Sequence, residues 1–301
     1  MNNLLWNLIV KIFAFVMAGA ILGVYFEDKR EKMLRLFVFI GGYILVPVYV
    51  FLSLWSSPVG FFSANQVLYV ALAVMGGSFL LSIAFSYLSH SPVRDVSLPI
   101  VFMNSAYLGI PVSSVLWGEK GIIYAIIYSA AVTIVQFTLG VFMVCGRRSL
   151  LEAFRLPFIY AAVAGALFNI YTVPINAHIM NLVKPVENIT LPLMLIFTGL
   201  RMGKPDLNSA TKALVSVVFR IVGGFAISLL AITYLKITDP ILIGTLVMLS
   251  SMPAAVNSFI LAERFKADPE YTSTAILLGT LATFFSIPLI NEFLFSYLYC
   301  K

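Results

Sequence analysis

The chain has 301 residues, of which 61% are hydrophobic and only 11% charged, with a mean hydropathy of +1.00. That balance excludes a water-soluble globule, a disordered segment, a collagen-like repeat and a cysteine-stapled secreted module, which are polar, glycine-periodic or cysteine-rich. The formal charge of +6 comes without a long basic run. Its basic residues sit in short loops between apolar stretches, so they report membrane topology and not a nucleic-acid partner.

A bilayer core about 30 Å thick takes roughly 20 apolar residues to cross as a helix. Ten stretches meet that requirement, at residues 4–25, 34–54, 66–88, 96–116, 121–145, 156–173, 186–203, 212–235, 240–262 and 271–294. An all-α polytopic membrane protein with ten transmembrane helices is therefore expected, numbered below as spans 1 to 10. Span 1 reads as a helix and not as a signal peptide, because Met1 to Leu5 is uncharged and Glu27-Asp28-Lys29-Arg30 follows it directly.

Loops after the odd-numbered spans carry Lys29, Arg30, Lys32, Arg35, Arg94, Arg147, Arg148, Arg155, Arg201, Lys204, Lys212, Arg264 and Lys266. The other loops carry only Lys120, Lys184 and Lys236. Positive residues stay in the cytoplasm, so both termini are expected to be extracytoplasmic, in the cell (plasma) membrane. Trp6, Trp55 and Trp117 then fall near the outer interface, where indole rings prefer to lie. Cys145 and Cys300 fall on opposite faces, which precludes an intramolecular disulfide.

The sequence echoes itself at half its length. Ile44-Leu45-Val46-Pro47-Val48-Tyr49-Val50-Phe51-Leu52 in span 2 returns as Ile189-Thr190-Leu191-Pro192-Leu193-Met194-Leu195-Ile196-Phe197 in span 7, 145 positions on. Gly109-Ile110-Pro111 in span 4 returns as Ser251-Met252-Pro253 in span 9, 142 positions on. Each half holds five spans, and an odd number makes the second copy enter the membrane from the opposite side. Residues 1–145 are thus expected to form one five-helix repeat, 146–155 a short cytoplasmic linker, and 156–301 an inverted second repeat. Such a molecule has a pseudo-two-fold axis in the membrane plane and binds its solute where corresponding broken helices meet.

Span 4 combines Gly109, Pro111, Asn104, Ser105, Ser113 and Ser114 around its centre, and span 9 combines Ser250, Ser251, Pro253, Asn257 and Ser258. Proline deletes a backbone donor and clashes with the carbonyl four residues earlier, so both spans are expected to break and to cross. Non-helical backbone at membrane depth is tolerated only inside protein or along a polar cavity. Two half-helix N-termini facing one cavity bring free N–H groups and positive partial charge, which suits an anion. The candidate substrate site comprises Asn104, Ser105, Gly109, Ile110, Pro111, Val112, Ser113 and Ser114 from span 4 and Pro253, Ala254, Asn257 and Ser258 from span 9. Gln136 in span 5 joins them, and Tyr128 is a weaker candidate. The plainer reading makes the Asn and Ser residues glue between helices and the prolines ordinary kinks.

All 13 acidic residues lie in loops or near span ends, and His90 and His178 fall in loops. A proton relay through the membrane is therefore disfavoured. Lys11 and Arg220 lie seven or eight residues inside spans 1 and 8, from where both are expected to snorkel to water. An intramembrane enzyme is disfavoured too, because no span carries paired aspartates, H-E-x-x-H or an Asp-rich diphosphate motif.

The run Asn104-Ser105-Ala106-Tyr107-Leu108-Gly109-Ile110-Pro111, followed by Gly118-Glu119-Lys120-Gly121 and Phe137-Thr138-Leu139-Gly140, resembles the auxin efflux carrier family. Leu191-Pro192 with Thr198-Gly199-Leu200, and Met252-Pro253-Ala254-Ala255 with Leu261-Ala262-Glu263-Arg264-Phe265, extend the likeness over nearly the whole chain. The resemblance implies a scaffold of spans 1, 2, 6 and 7, a moving transport domain of spans 3–5 and 8–10, and spans 4 and 9 crossing at their prolines. Asn104, Pro111, Pro253 and Asn257 match the family's crossover positions. The long cytoplasmic loop of the plant auxin exporters is absent, and bacterial relatives are associated with dicarboxylates.

The expected function is a secondary transporter of a small organic anion, an auxin-like carboxylate or a dicarboxylate. Efflux would run by elevator-type alternating access and could be driven by the membrane potential alone. The alternatives are a sodium-coupled organic-anion symporter of the bile-acid carrier type and a non-transporting sensor. The expected partners are the anion, the lipid bilayer, Na+ under the symport alternative, and a second copy in a homodimer; no nucleic acid, metal or organic cofactor is expected.

Overall fold

A computed structural model describes residues 2–26, 32, 36, 38–56, 61–145, 157–201 and 208–299. The expected linker at 146–155, the residues Lys29, Arg30, Arg35, Arg147, Arg148, Arg155 and Lys204, and Cys300 lie outside them.

Among the described residues every regular element is helical. In chain order these are α1 (Asn2–Tyr25), a π-helical Val38–Leu45 leading into α2 (Val46–Trp55), α3 (Phe61–Leu88), α4 (Val93–Val101) and, after a π-helical Ser105–Gly109, α5 (Ile110–Val135). A π-helical Gln136–Gly140 then leads into α6 (Val141–Cys145). The second half holds α7 (Pro157–Ile170), α8 (Ala177–Arg201), α9 (Ala210–Tyr234), α10 (Pro240–Ser250), α11 (Asn257–Arg264) and α12 (Pro269–Tyr299).

Among the described residues four helical stretches are long and apolar enough to cross a membrane: Asn65–Leu88, Ser105–Val144, Ala210–Tyr234 and Pro269–Ser296. The second has 40 residues, which as one rod would measure about 60 Å, twice the bilayer core. Gly118 divides it, with φ 60° and ψ −146°, a conformation open to glycine alone. A Cβ on Gly121 would lie 2.8 Å from the Ser113 carbonyl oxygen, although residues eight apart in a continuous helix are about 12 Å apart. The chain therefore doubles back at Gly118.

α8 begins at Ala177, ahead of the apolar window at 186, and runs through Pro185 and Pro192. Its first turns hold His178, Asn181, Lys184 and Glu187, which lower the hydropathy without opposing a helix. His178 thus opens a helix and is not in a loop; it is exposed.

Two sets of helices pack closely. In the first, α1 lies against α8 and α2 against α7. Added Cβ atoms on Gly19 and Gly199 would fall 2.0 Å from the Ile196 oxygen and 1.8 Å from the Val16 oxygen, so α1 and α8 touch backbone to backbone. With lipid as solvent, such approach at small residues is what associates helices. In the second set α9 lies on α3, α4, α10 and α12, and α10 lies on α5. Large apolar side chains face outwards, among them Leu80, Leu230, Phe285 and Leu289, each at least 66% exposed. Such a surface is stable only against lipid or another apolar partner.

Candidate functional site

The centre of the second helix set is built from two interruptions. Asp239 starts α10, its Oδ1 accepting from the backbone N–H groups of Ile241 (2.9 Å) and Leu242 (3.3 Å). The helix stops at Ser250, and residues 251–256 run non-helically before α11 begins at Asn257. This is where the sequence placed the break in span 9, and the reason is local: Pro253 has no N–H to continue the helix.

In span 4 the break falls elsewhere than expected. The chain leaves the helix after Val101, is non-helical through Phe102–Asn104, and re-enters helical geometry at Ser105. Pro111 sits at the start of α5, directly after the π-helical turn, and the helix runs on through it. The residue facing Pro253 is Asn104, not Pro111. What selects Phe102–Asn104 is pairing with the other break: Asn104 N–H donates to the Pro253 oxygen (2.7 Å) and Ala255 N–H donates to the Phe102 oxygen (2.8 Å). Met103 and Ala254 thereby form an isolated antiparallel bridge, which satisfies backbone groups that the broken helices leave free.

Arg220 of α9 decides the electrostatics of this centre. Its side chain is 1% exposed, which rules out the snorkelling expected from its position. One guanidinium nitrogen, Nη1, donates to Ile100 O (2.7 Å), Val101 O (2.9 Å) and Ser78 Oγ (3.1 Å), and Nη2 donates to Ser250 O (2.8 Å). Ile100 and Val101 end α4 and Ser250 ends α10, so one guanidinium caps the C-termini of both half-helices. Each terminus carries about half a negative charge, so the two together roughly balance the guanidinium. Gly224 makes the approach possible: a Cβ there would lie 1.9 Å from Ser250 O and 2.3 Å from Nη2.

The two half-helix N-termini, at Ser105–Ile110 and Asn257, leave about one positive charge unbalanced in the same region. Asn104 is 2% exposed and its Nδ2 amide has no hydrogen-bond partner. A buried donor without an acceptor is costly unless a ligand supplies one. Ser105, Ile110, Pro111, Val112, Pro253 and Ala254 are also buried, and Gly109 N–H closes the π-helical turn onto Asn104 O at 3.0 Å. Asn257 is half-buried at the start of α11.

Two span 5 residues hold the edges of the second break. Tyr128 and Ser250 hydroxyls share a hydrogen bond of 3.0 Å, and Gln136 Nε2 donates to Ser258 Oγ at 3.1 Å. Ser258 in turn donates to Leu98 O at 3.3 Å. Ser258 and Gln136 therefore join the centre as a tie between spans 4, 5 and 9. Ser113 and Ser114 do not: they lie more than two turns beyond Asn104, beside the Gly118 reversal. Around Pro99, Arg220, Pro253 and Gly279 lies a narrow crevice with no room for a water molecule. Among the described residues no three His, Cys, Asp or Glu side chains gather in a metal-binding group.

Arg220 is the residue that sequence reasoning undervalued. A usable signal existed in Gly223-Gly224, one turn further along the same helix, because paired small residues below a long cation mark a place where another backbone comes close.

A helical chain with an apolar outer surface and buried, mutually bonded helix breaks belongs to the class of multi-pass membrane transport proteins. Residues 145–291 match the family described as membrane transport protein. An uncharacterized transporter from Methanothermobacter thermautotrophicus is 24% identical over 302 residues, covering 93% of this chain and 95% of the relative. Both likenesses are to membrane transporters, and they agree with the apolar surface and the paired helix breaks.

Proposed function

We propose that the protein is a secondary carrier for a small organic anion, in which ten spans form two inverted repeats and spans 4 and 9 cross to make the site. The observation that carries this reading is the pairing of Phe102–Asn104 with Pro253–Ala255 beside an unpartnered, buried Asn104 amide. Both half-helix C-termini are neutralised by Arg220, so the remaining field is that of two N-termini, and it favours a carboxylate. One unbalanced positive charge suits a monoanion better than a dianion.

Contacts related by the proposed repeat support it. Gly19 approaches the Ile196 oxygen as Gly165 approaches the Phe51 oxygen, and Gly77 meets Ile227 as Gly223 meets Leu81. The partners in these contacts are offset by 145 or 146 positions. The helix set α1, α2, α7 and α8 then serves as scaffold and the set around the breaks as the moving domain. Both termini lie outside the cytoplasm of a plasma membrane in this scheme.

With the cell interior negative, each exported negative charge gains about 2.3 kcal/mol per 100 mV, enough for roughly 40-fold accumulation without a coupling ion. Proteoliposomes loaded with radiolabelled monocarboxylates and clamped at graded potentials test the reading. Flux should follow the imposed potential for at least one carboxylate. Flux indifferent to voltage excludes electrogenic uniport, and no flux across a carboxylate panel excludes the carrier.

A further inference from the structure

Carriers built on interrupted helices aim half-helix N-termini at an anionic solute, while half-helix C-terminal carbonyls coordinate the coupling cation. In this protein the second of those places is filled. Four oxygens converge there, the carbonyls of Ile100, Val101 and Ser250 and the hydroxyl of Ser78, at 2.7 to 3.1 Å from guanidinium nitrogens. No carboxylate is among them, so the shell is the neutral oxygen set that suits a monovalent cation. The occupant is covalently attached and always charged. Its Nε–H has no partner, so the guanidinium is placed by the four oxygens and not by a complementary acid.

We propose that Arg220 is a tethered cation standing in an alkali-cation site formed by the ends of α4 and α10. A mobile ion arrives and leaves with the transport cycle and so couples it to an ion gradient. A fixed guanidinium removes that step. Transport is therefore independent of sodium, and removing the side chain uncovers a site that sodium fills. This rests on the carrier reading for its flux prediction, whereas the cation site itself can be read without any substrate.

The experiment compares wild type, Arg220→Ala and Arg220→Lys, purified in detergent, by thermal unfolding in sodium chloride against choline chloride at equal ionic strength. Anion flux of wild type is measured in the same two salts. Wild type should melt at the same temperature and transport at the same rate in both. Arg220→Ala should melt lower in choline and recover part of the loss in sodium, saturably. Arg220→Lys, which keeps a charge, should be insensitive to the salt. Loss of wild-type flux on removing sodium overturns the proposal, as does an Arg220→Ala protein equally stable in both salts. Should Arg220→Ala yield no folded protein, wild-type flux and Arg220→Lys decide, and sodium dependence in either one overturns it. A chain that moves no anion while Arg220→Ala binds sodium loses the carrier reading alone. One that moves anions while Arg220→Ala ignores sodium loses only this inference.

Discussion

Replacing Gly224 by alanine tests whether the Arg220 cap holds the two broken helices together. The added Cβ would stand 1.9 Å from Ser250 O, and a carbon–oxygen contact relaxes to about 3.3 Å, so some 1.4 Å of movement is required. The oxygen in question is the one that Nη2 binds at 2.8 Å. Losing a hydrogen bond to a charged group costs about 1.5–3 kcal/mol, and forcing an extra carbon into a packed centre about 1–3 kcal/mol. Alanine returns about 1 kcal/mol of helix propensity. The net expectation is a loss of about 2–5 kcal/mol, read as a lower unfolding temperature in detergent. Gly76 is the internal control: it lies in α3 with nothing within 4 Å of its would-be Cβ. Gly76→Ala should be neutral or up to about 1 kcal/mol stabilising. If Gly224→Ala melts with wild type, or if Gly76→Ala falls equally, the cap is not what joins the breaks.

Asn104→Ala removes a buried donor that has no acceptor, so the fold should lose no stability while the KM for the transported anion rises about tenfold, the equivalent of 1.4 kcal/mol; unchanged KM would remove Asn104 from the site. Gly118→Ala meets no neighbouring atom, yet its backbone has φ 60° and ψ −146°, and the strain should cost about 1–3 kcal/mol in thermal or denaturant unfolding. Asp239→Ala deletes the cap of α10 and the acceptor of the Tyr124 hydroxyl at 3.1 Å, and should lower stability by about 1–2 kcal/mol. Asp239→Asn, which keeps the capping oxygen, should recover most of that loss.

The break in span 9 was legible because Pro253 acts on its own backbone, and the reversal at Gly118 falls between two windows separated on hydropathy alone. The break in span 4 was legible in existence and not in place. Gly109 and Pro111 are the strongest local breakers there, yet the helix runs through both after a π-helical turn, and the pairing partner of the actual break lies about 150 residues away. Ser113 and Ser114 looked equivalent to Ser258 by type, and only the contacts with Gln136 and Leu98 separate Ser258 from them.

What the sequence determined by itself follows from short-range physics. Apolar stretches of the right length imply a lipid solvent, and a proline removes a backbone donor wherever it stands. Tertiary structure alone decided the charge at the centre. Arg220 could have reached for water by rotating outwards; what keeps it inside is a set of oxygens 142, 120, 119 and 30 positions away in the chain. A cation chooses its surroundings by the sum of such distant acceptors, and no local pattern encodes that sum.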